Sequence, residues 1–412
     1  MGSPRGKDIS ISITSAFLKL CGLWMAASPS EQRARDVMFV YTVGSIFFAV
    51  YLQSSNIYLA WGDLHASLYA VCTFITVLMP LVKIFVLFAH RKNLFRLIIH
   101  MQRKFLQVDY DDSYERLIFN NWKRLCAFFI CVFTFCTQAT SFSYIAKPLI
   151  VNIGKNESER ILPWDMLIGL PLSTTPYYEV TYLIQILATC QVSLGYICFD
   201  NCLCMLNLHA ACQFRILQYR LANMPGLENE SLLTKNEKPD TNSSTYSDKY
   251  YNLFINYVRQ HQTLIAYCET VNEVFSLIAF VQVLLFSLLI CLDSYQVVMA
   301  NAAFATRLVF LFHIVTCMSQ LFMFTFSCDC IVQESASIKS AVYSGPWTGL
   351  PMTTSGKSCR RDVMFVINRS QVPCRLSGNG FFIVSLETFT RVLSTAFSYF
   401  TLLRHNAETV HD

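Results

Sequence analysis

Apolar residues run through this chain in stretches longer than a soluble helix needs. Six of them stand out, at 37–61, 64–89, 125–146, 180–199, 274–292 and 308–328, with a weaker seventh at 379–403. A helix needs about 20 consecutive apolar residues to cross the hydrocarbon core of a bilayer. Such runs are far too long for barrel strands, and lipid forces each segment to satisfy its own backbone polar groups. The pattern therefore predicts an all-α membrane protein with seven transmembrane helices in one domain over 37–403.

Between the spans the pattern keeps a helical period. Residues 91–107 ("RKNLFRLIIHMQRKFLQ"), 205–222 ("MLNLHAACQFRILQYRLA") and 250–271 ("YYNLFINYVRQHQTLIAYCETV") place apolar residues at helical spacing among basic ones. They read as helices that overrun the bilayer on one side, forming a layer that packs on itself or on another subunit. The stretch 223–249 is polar and punctuated by Pro225, Gly226 and Pro239, which predicts a mobile loop. Segment 330–375 is expected to belong to the contact layer. Near the start, "ISITSAFLKLCGLWMAAS" is interrupted by Lys19. It reads as a short interfacial helix within segment 1–36, with Phe17, Leu20 and Trp24 on its buried side.

Composition agrees with a membrane protein. Hydrophobic residues make up 54% of the chain and charged residues 14%, against roughly 25% charged in an average soluble domain. The 17 cysteines lie mostly inside spans, and the pairs Cys202/Cys204 and Cys328/Cys330 lack zinc-site spacing, so they read as small reduced hydrophobes. No metal and no cofactor is expected.

Charge fixes an orientation. Twenty-five Lys and Arg fall on the N-terminal side of the predicted spans and four on the other. The positive-inside rule then puts the N-terminus in the cytoplasm and the C-terminus outside. The net charge of +5 is a topology signal, and nucleic acid is not an expected partner. Of the N-x-S sequons, Asn156 alone falls outside in this arrangement and is the expected glycosylation site.

The C-terminal third carries a resemblance. "SCDCIVQESASIKSAVYSGPW", "RRDVMFVINRSQVP" and "GFFIVSLETFTRVLSTAFSYFTLLR" occur in order over roughly the last 80 residues. Together, Ser335, Ala341, Tyr343 and Trp347, then Arg369, Ser370, Gln371 and Pro373, then Thr388, Phe389, Ser398, Tyr399, Thr401, Leu402 and Leu403 resemble the insect odorant receptor family. The resemblance implies a ligand-gated, non-selective cation channel. It would be a heterotetramer with the family's shared co-receptor, in which the last helix lines the pore and this chain is an odorant-binding tuning subunit. It also implies a small volatile organic ligand and a plasma-membrane site in a sensory-neuron dendrite. Ser335, Tyr343, Trp347, Arg369 and Gln371 are the expected subunit contacts.

In the last span, Glu387, Thr388, Arg391, Thr395 and Ser398 recur every three or four residues and so share one side of a helix. Two readings stand. Glu387 and Arg391 neutralise each other at a buried contact and the hydroxyls bond back to their own helix. Alternatively, the stripe wets a weakly selective pore, with Thr388, Arg391, Thr395 and Ser398 lining it.

An apolar ligand calls for an aromatic cavity with a few hydroxyls or amides. The outer halves of spans two, three, four and six supply Tyr69 and Thr73; Thr137, Phe142 and Tyr144; Tyr178, Tyr182 and Gln185; and Phe310, His313 and Thr316. The loop between spans three and four, rich in Pro and bulky apolar residues, is expected to fold back as a lid. Lys83, near the inner end of span two, is expected to snorkel to the interface. A G-protein-coupled receptor is the rival by span count, but its external N-terminus, Asp-Arg-Tyr and Asn-Pro-x-x-Tyr signals are absent. Inverted transporter repeats and a catalytic set are absent too.

Overall fold

The computed structural model describes residues 9–26, 28–108, 110, 112–167, 171–225, 242–298 and 304–411. With no water in the bilayer to satisfy the backbone, the chain is helical almost throughout. In order the helices are α1 (Ile9–Leu20), α2 (Pro29–Leu59), α3 (Leu64–Ala89), α4 (Arg91–His100), α5 (Ser113–Val151), α6 (Tyr177–Ala222), α7 (Asn242–Val298), α8 (Phe304–Ser344), α9 (Thr354–Arg369) and α10 (Leu386–His411). A two-stranded antiparallel hairpin, β1 (Ser377–Gly378) and β2 (Phe382–Ile383), precedes α10.

Side-chain caps mark several starts. Ser28 accepts from the Glu31 N–H with Pro29 opening α2, Asp112 accepts from Tyr114 to open α5, and Thr353 accepts from Gly356 to open α9.

Helices α2, α3, α5, α6, α7 and α8 are long and apolar enough to cross a membrane. α10 has 26 residues, about 39 Å at 1.5 Å each, and carries the polar stripe of the weaker seventh run. At 46, 57 and 41 residues, α6, α7 and α8 reach roughly 60–85 Å against a hydrocarbon core of about 30 Å. Much of each therefore stands beyond the bilayer, and these ends pack together as an extension layer. There Phe214, Leu217, Leu221, Tyr250, Phe254 and Leu264 are buried. In water each such side chain contributes about 1.5–3 kcal/mol. Within the lipid that driving force vanishes, and cohesion comes from close packing and polar contacts.

α6 is the axis of the bundle. It packs on α1, α2, α3, α5, α7 and α8, and every residue from Gly195 to Cys212 is buried. Over that stretch the helix has no lipid face, whereas Val180, Leu183, Ile184 and Leu187 nearer its start are exposed.

Several expectations need correction. α1 buries Ser10, Thr14 and Leu18 instead of Leu20, which is exposed. Small hydroxylated residues let α1 lie close against α6. Gly22, at φ +72, turns the chain sharply there, and a Cβ would collide with the Arg35 carbonyl. Span two does not run on unbroken: His90 leaves helical geometry, and α4 with a π-helical turn at Met101–Leu106 follows. Of the expected mobile loop, 226–241 lies outside the described residues, and 242–249 already belongs to α7. The seventh helix starts at Leu386, not 379, because Asn379 and Gly380 both take positive φ and form a tight hairpin turn. The hairpin is fastened to α7, whose Asn272 accepts from the Ser377 N–H at 2.8 Å and whose Ser276 accepts from the Asn379 N–H at 3.0 Å.

Candidate ligand-binding cavity

A cavity of about 80 Å³ lies among α2, α3, α5, α6 and α8, on the side of the molecule where the α5–α6 loop sits. At roughly 10–15 Å³ of such space per water, it has room for five to eight waters, the scale of a small organic molecule. Its wall is apolar, studded with hydroxyls and amides. Thr73 donates to Gln53 at 2.8 Å, joining α3 to α2, and Thr140 meets Thr316 at 2.8 Å, joining α5 to α8. Placed between helices, these polar pairs set the spacing of the cavity walls.

The loop closes the cavity by a repeated device. Asn152 accepts from the Ile161 N–H and donates to its carbonyl, both at 2.9 Å. Gln185 does the same for Trp164, at 3.1 and 2.9 Å. Each side-chain amide thus pairs with a loop residue as a neighbouring strand would, satisfying that residue's N–H and carbonyl together. Trp164 is held over the cavity with its ring 5.1 Å from Tyr144. On its other side lies a larger, more polar opening of about 670 Å³ bordered by Asp63, Tyr69, Lys147 and Asp165. Trp164 borders both spaces and stands between them.

Of the expected ligand residues, Thr73, Thr137, Tyr144, Gln185, His313 and Thr316 meet around the cavity. The others do not. Phe142 is 70% exposed on the outer face of α5. Tyr178 donates to the Ile161 carbonyl and accepts from Asn152, bracing the lid, and Tyr182 donates to the Ile145 carbonyl, tying α6 to α5. Tyr69 faces the outer opening, edge-on to Phe310, which is buried in the core. Gln53, Thr76, Thr140, Trp164, Ser193 and Tyr196 line the cavity and were not anticipated.

Two buried charge clusters were also missed. Against the cavity wall, Asp293 accepts from Cys72 at 2.9 Å and is bonded to His313 at 2.8 Å, while the other His313 nitrogen meets Thr76 at 3.3 Å. His313 is thus a hydrogen-bonded structural residue. The donor atoms of Cys72, Asp293 and His313 lie within 4.8 Å of one another, close enough to share an ion, but here they satisfy each other. Deeper in the bundle, Lys83 does not snorkel. It is fully buried, 2.7 Å from Asp200, with its ammonium 4.7 Å from the Tyr196 ring centre. Gln282 and Gln320 also donate to Asp200, at 3.0 and 2.5 Å. Spans two, four, five and six therefore meet on one carboxylate.

On α10 the pairing and back-bonding of the first reading are present, but the pair is not at a buried contact. Glu387 and Arg391 pair at 2.6 Å while remaining exposed, and Thr395 and Ser398, also exposed, donate to the carbonyls four residues back. Their lone pairs still face outward. Thr388 is the buried member of the stripe: it is 8% exposed, donates to the Ile383 carbonyl and accepts from the Ser385 N–H, a helix-start contact. Arg391 and Thr395 border an open groove of about 1080 Å³ between α7, the hairpin and α10.

In the extension layer, Ser335 is buried and accepts from the Cys374 N–H, and Trp347 donates to the Val342 carbonyl. Both are internal braces. Tyr343, Arg369 and Gln371 are exposed. Asn156 is exposed at the start of a short 3-10 turn in the α5–α6 loop.

The profile of the 7tm odorant receptor family matches residues 63–397. The chain is 29% identical to odorant receptor 10 of Aedes albopictus over 249 residues, spanning about 60% of either chain. It is 25% identical to odorant receptor 13a of Drosophila melanogaster, covering 97% of this chain and 96% of that one. Its fold is similar to that of the insect olfactory receptor OR5 from Machilis hrabei in complex with eugenol. The TM-score is 0.79 at 15% identity, over 96% of this chain and 97% of the other.

Proposed function

The chain belongs to the 7tm odorant receptor family, and from that premise we propose that it is the odorant-binding subunit of an odorant-gated, non-selective cation channel. The observation that carries the receptor reading is the lidded, mostly apolar cavity among five helices. It suits a small volatile ligand, and the Machilis receptor of the same fold in complex with eugenol supports that class. The channel reading is supported by α10, whose uncharged hydroxyls and self-neutralised Glu387–Arg391 pair face outward from the bundle. Such a surface in a membrane helix calls for water or other subunits beside it.

A partner is supported by the extension layer. Tyr343, Met352, Met364, Phe365 and Val372 are exposed there, beyond the reach of lipid. The family's co-receptor is the partner we assign, in a hetero-oligomer. With 25 Lys and Arg on the N-terminal side against four opposite, the N-terminus and the extension layer lie in the cytoplasm and the C-terminus outside. The site of action is the plasma membrane of a sensory neuron, at its dendrite.

The test is whole-cell current under a volatile panel, in cells carrying this chain with or without the co-receptor and with G-protein signalling blocked. Current only in the pair, unaffected by the block, is the expected result. Current that disappears with the block returns the metabotropic reading to first place.

A further inference from the structure

The polar groups around the cavity are not equally engaged. Thr73, Thr76, Thr137, Thr140 and Gln185 each hydrogen-bond within the protein. Ser193 and Tyr196 do not: their hydroxyls are buried and have no hydrogen-bond partner among the described residues. Each residue is 5% exposed and both line the cavity, three positions apart on one face of α6. A buried hydroxyl without a partner is costly, so something in the cavity must answer it.

The pair sits at the deep end. Gln185 and Trp164 close the loop end of the cavity, and Tyr196 lies three turns further along α6, where its ring meets the Lys83 ammonium. Lys83 fixes that ring from below by binding its face, while the ammonium itself is held by Asp200. The phenol is therefore a fixed point, not a rotor free to find another partner.

We propose that the cavity selects volatiles with one hydrogen-bonding head group, an oxygen or an N–H, which docks on the Ser193 and Tyr196 hydroxyls while the apolar body lies under Trp164. This rests on the cavity being the odorant site. A hydroxyl both donates and accepts, so carbonyls, phenols and N–H groups all satisfy the pair. A hydrocarbon of the same shape leaves both hydroxyls empty, and each unsatisfied group corresponds to a loss of about five- to 150-fold in affinity. Water answers the pair in the free receptor, and a head group replaces that water without loss where a hydrocarbon does not.

The experiment uses probes matched in size and differing in head group: phenol against toluene, benzaldehyde against styrene, indole against indene. Each is read as current from cells carrying the chain with the co-receptor, and as thermal stabilisation of the purified protein. The polar member is expected to act at concentrations at least about tenfold lower. Ser193→Ala with Tyr196→Phe is expected to remove that advantage, the polar member losing potency and the hydrocarbon, which no longer leaves two hydroxyls unsatisfied, gaining it. Equal potency within pairs, equal loss of both members in the double variant, or silence to all probes in both readouts overturns the proposal. Ala188→Phe, which fills the cavity, separates the two levels of the argument. Responses that survive it mean the cavity is not the odorant site, whereas abolished responses with equal pairs sink only the head-group assignment.

Discussion

Replacing Asp200 by Leu is expected to harm the protein more than replacing Lys83 by Met, and the contacts say why. In the Lys83 variant the carboxylate keeps the amide donors of Gln282 and Gln320, at 3.0 and 2.5 Å, and hydrogen bonds to a charged group are worth about 1.5–3 kcal/mol each. In the Asp200 variant the ammonium keeps only the faces of Tyr196 and Phe199, at 4.7 and 5.3 Å, worth about 2 kcal/mol when desolvated. Both glutamines lose their acceptor as well. Removing one member of a buried pair typically costs about 3–5 kcal/mol, so Asp200→Leu is expected at or above that range and Lys83→Met at its lower end. The double variant, with neither charge of the pair left, is expected to recover a good part of the loss. The assay is the melting temperature of the purified receptor in detergent, for the wild type, both single variants and the double. If the singles melt like the wild type, or the double falls by the sum of the singles, Lys83 and Asp200 do not depend on one another and the argument fails.

Asn152→Ala removes the amide that holds Ile161 without touching the cavity lining, so it is expected to raise the effective odorant concentration severalfold and speed deactivation; unchanged kinetics would show that the lid does not need that clamp. A lysine at Thr395, on the exposed stripe, is expected to cut cation current with normal surface expression. The same change at Thr388, buried in its helix-start contact, is expected to cut expression instead; a reversed pattern would move the pore to another face of α10. Asn156→Gln is expected to abolish a glycosidase-sensitive mass shift, and a shift that survives in this variant but disappears in Asn368→Gln would invert the proposed orientation.

The spans were legible because hydrophobic runs are local, and the motifs at the C-terminus reached the family. What a single helix cannot reveal is its rotation against neighbours. Phe142 follows Ser141, which lines the cavity, yet one residue is about 100° of turn, enough to put it on the outer face. Asp200 and Asp293 escaped for another reason: each falls one residue past the end of an apolar run and so looks like a boundary charge. Their signal was present, since an acid with further apolar sequence after it is seldom at a true membrane edge. Thr388 shows the limit of periodicity, because its place in the stripe was right and its hydroxyl was engaged by the turn before the helix.

The unbroken burial of α6 from Gly195 to Cys212 has a consequence for how the protein is made. Lys83 precedes Asp200 by 117 residues, and Gln320 follows Asp200 by a further 120. At about 5–20 residues per second of synthesis, the lysine waits roughly 6–23 seconds for its counter-charge. Through that interval the second span carries an unmatched ammonium, a costly group for a helix in lipid. The fourth span in turn enters lipid before the helices that will cover it exist. The newborn chain is therefore least stable while half translated, and inherited changes at these positions are expected to surface as receptor that never leaves the endoplasmic reticulum rather than as a receptor with altered taste in ligands.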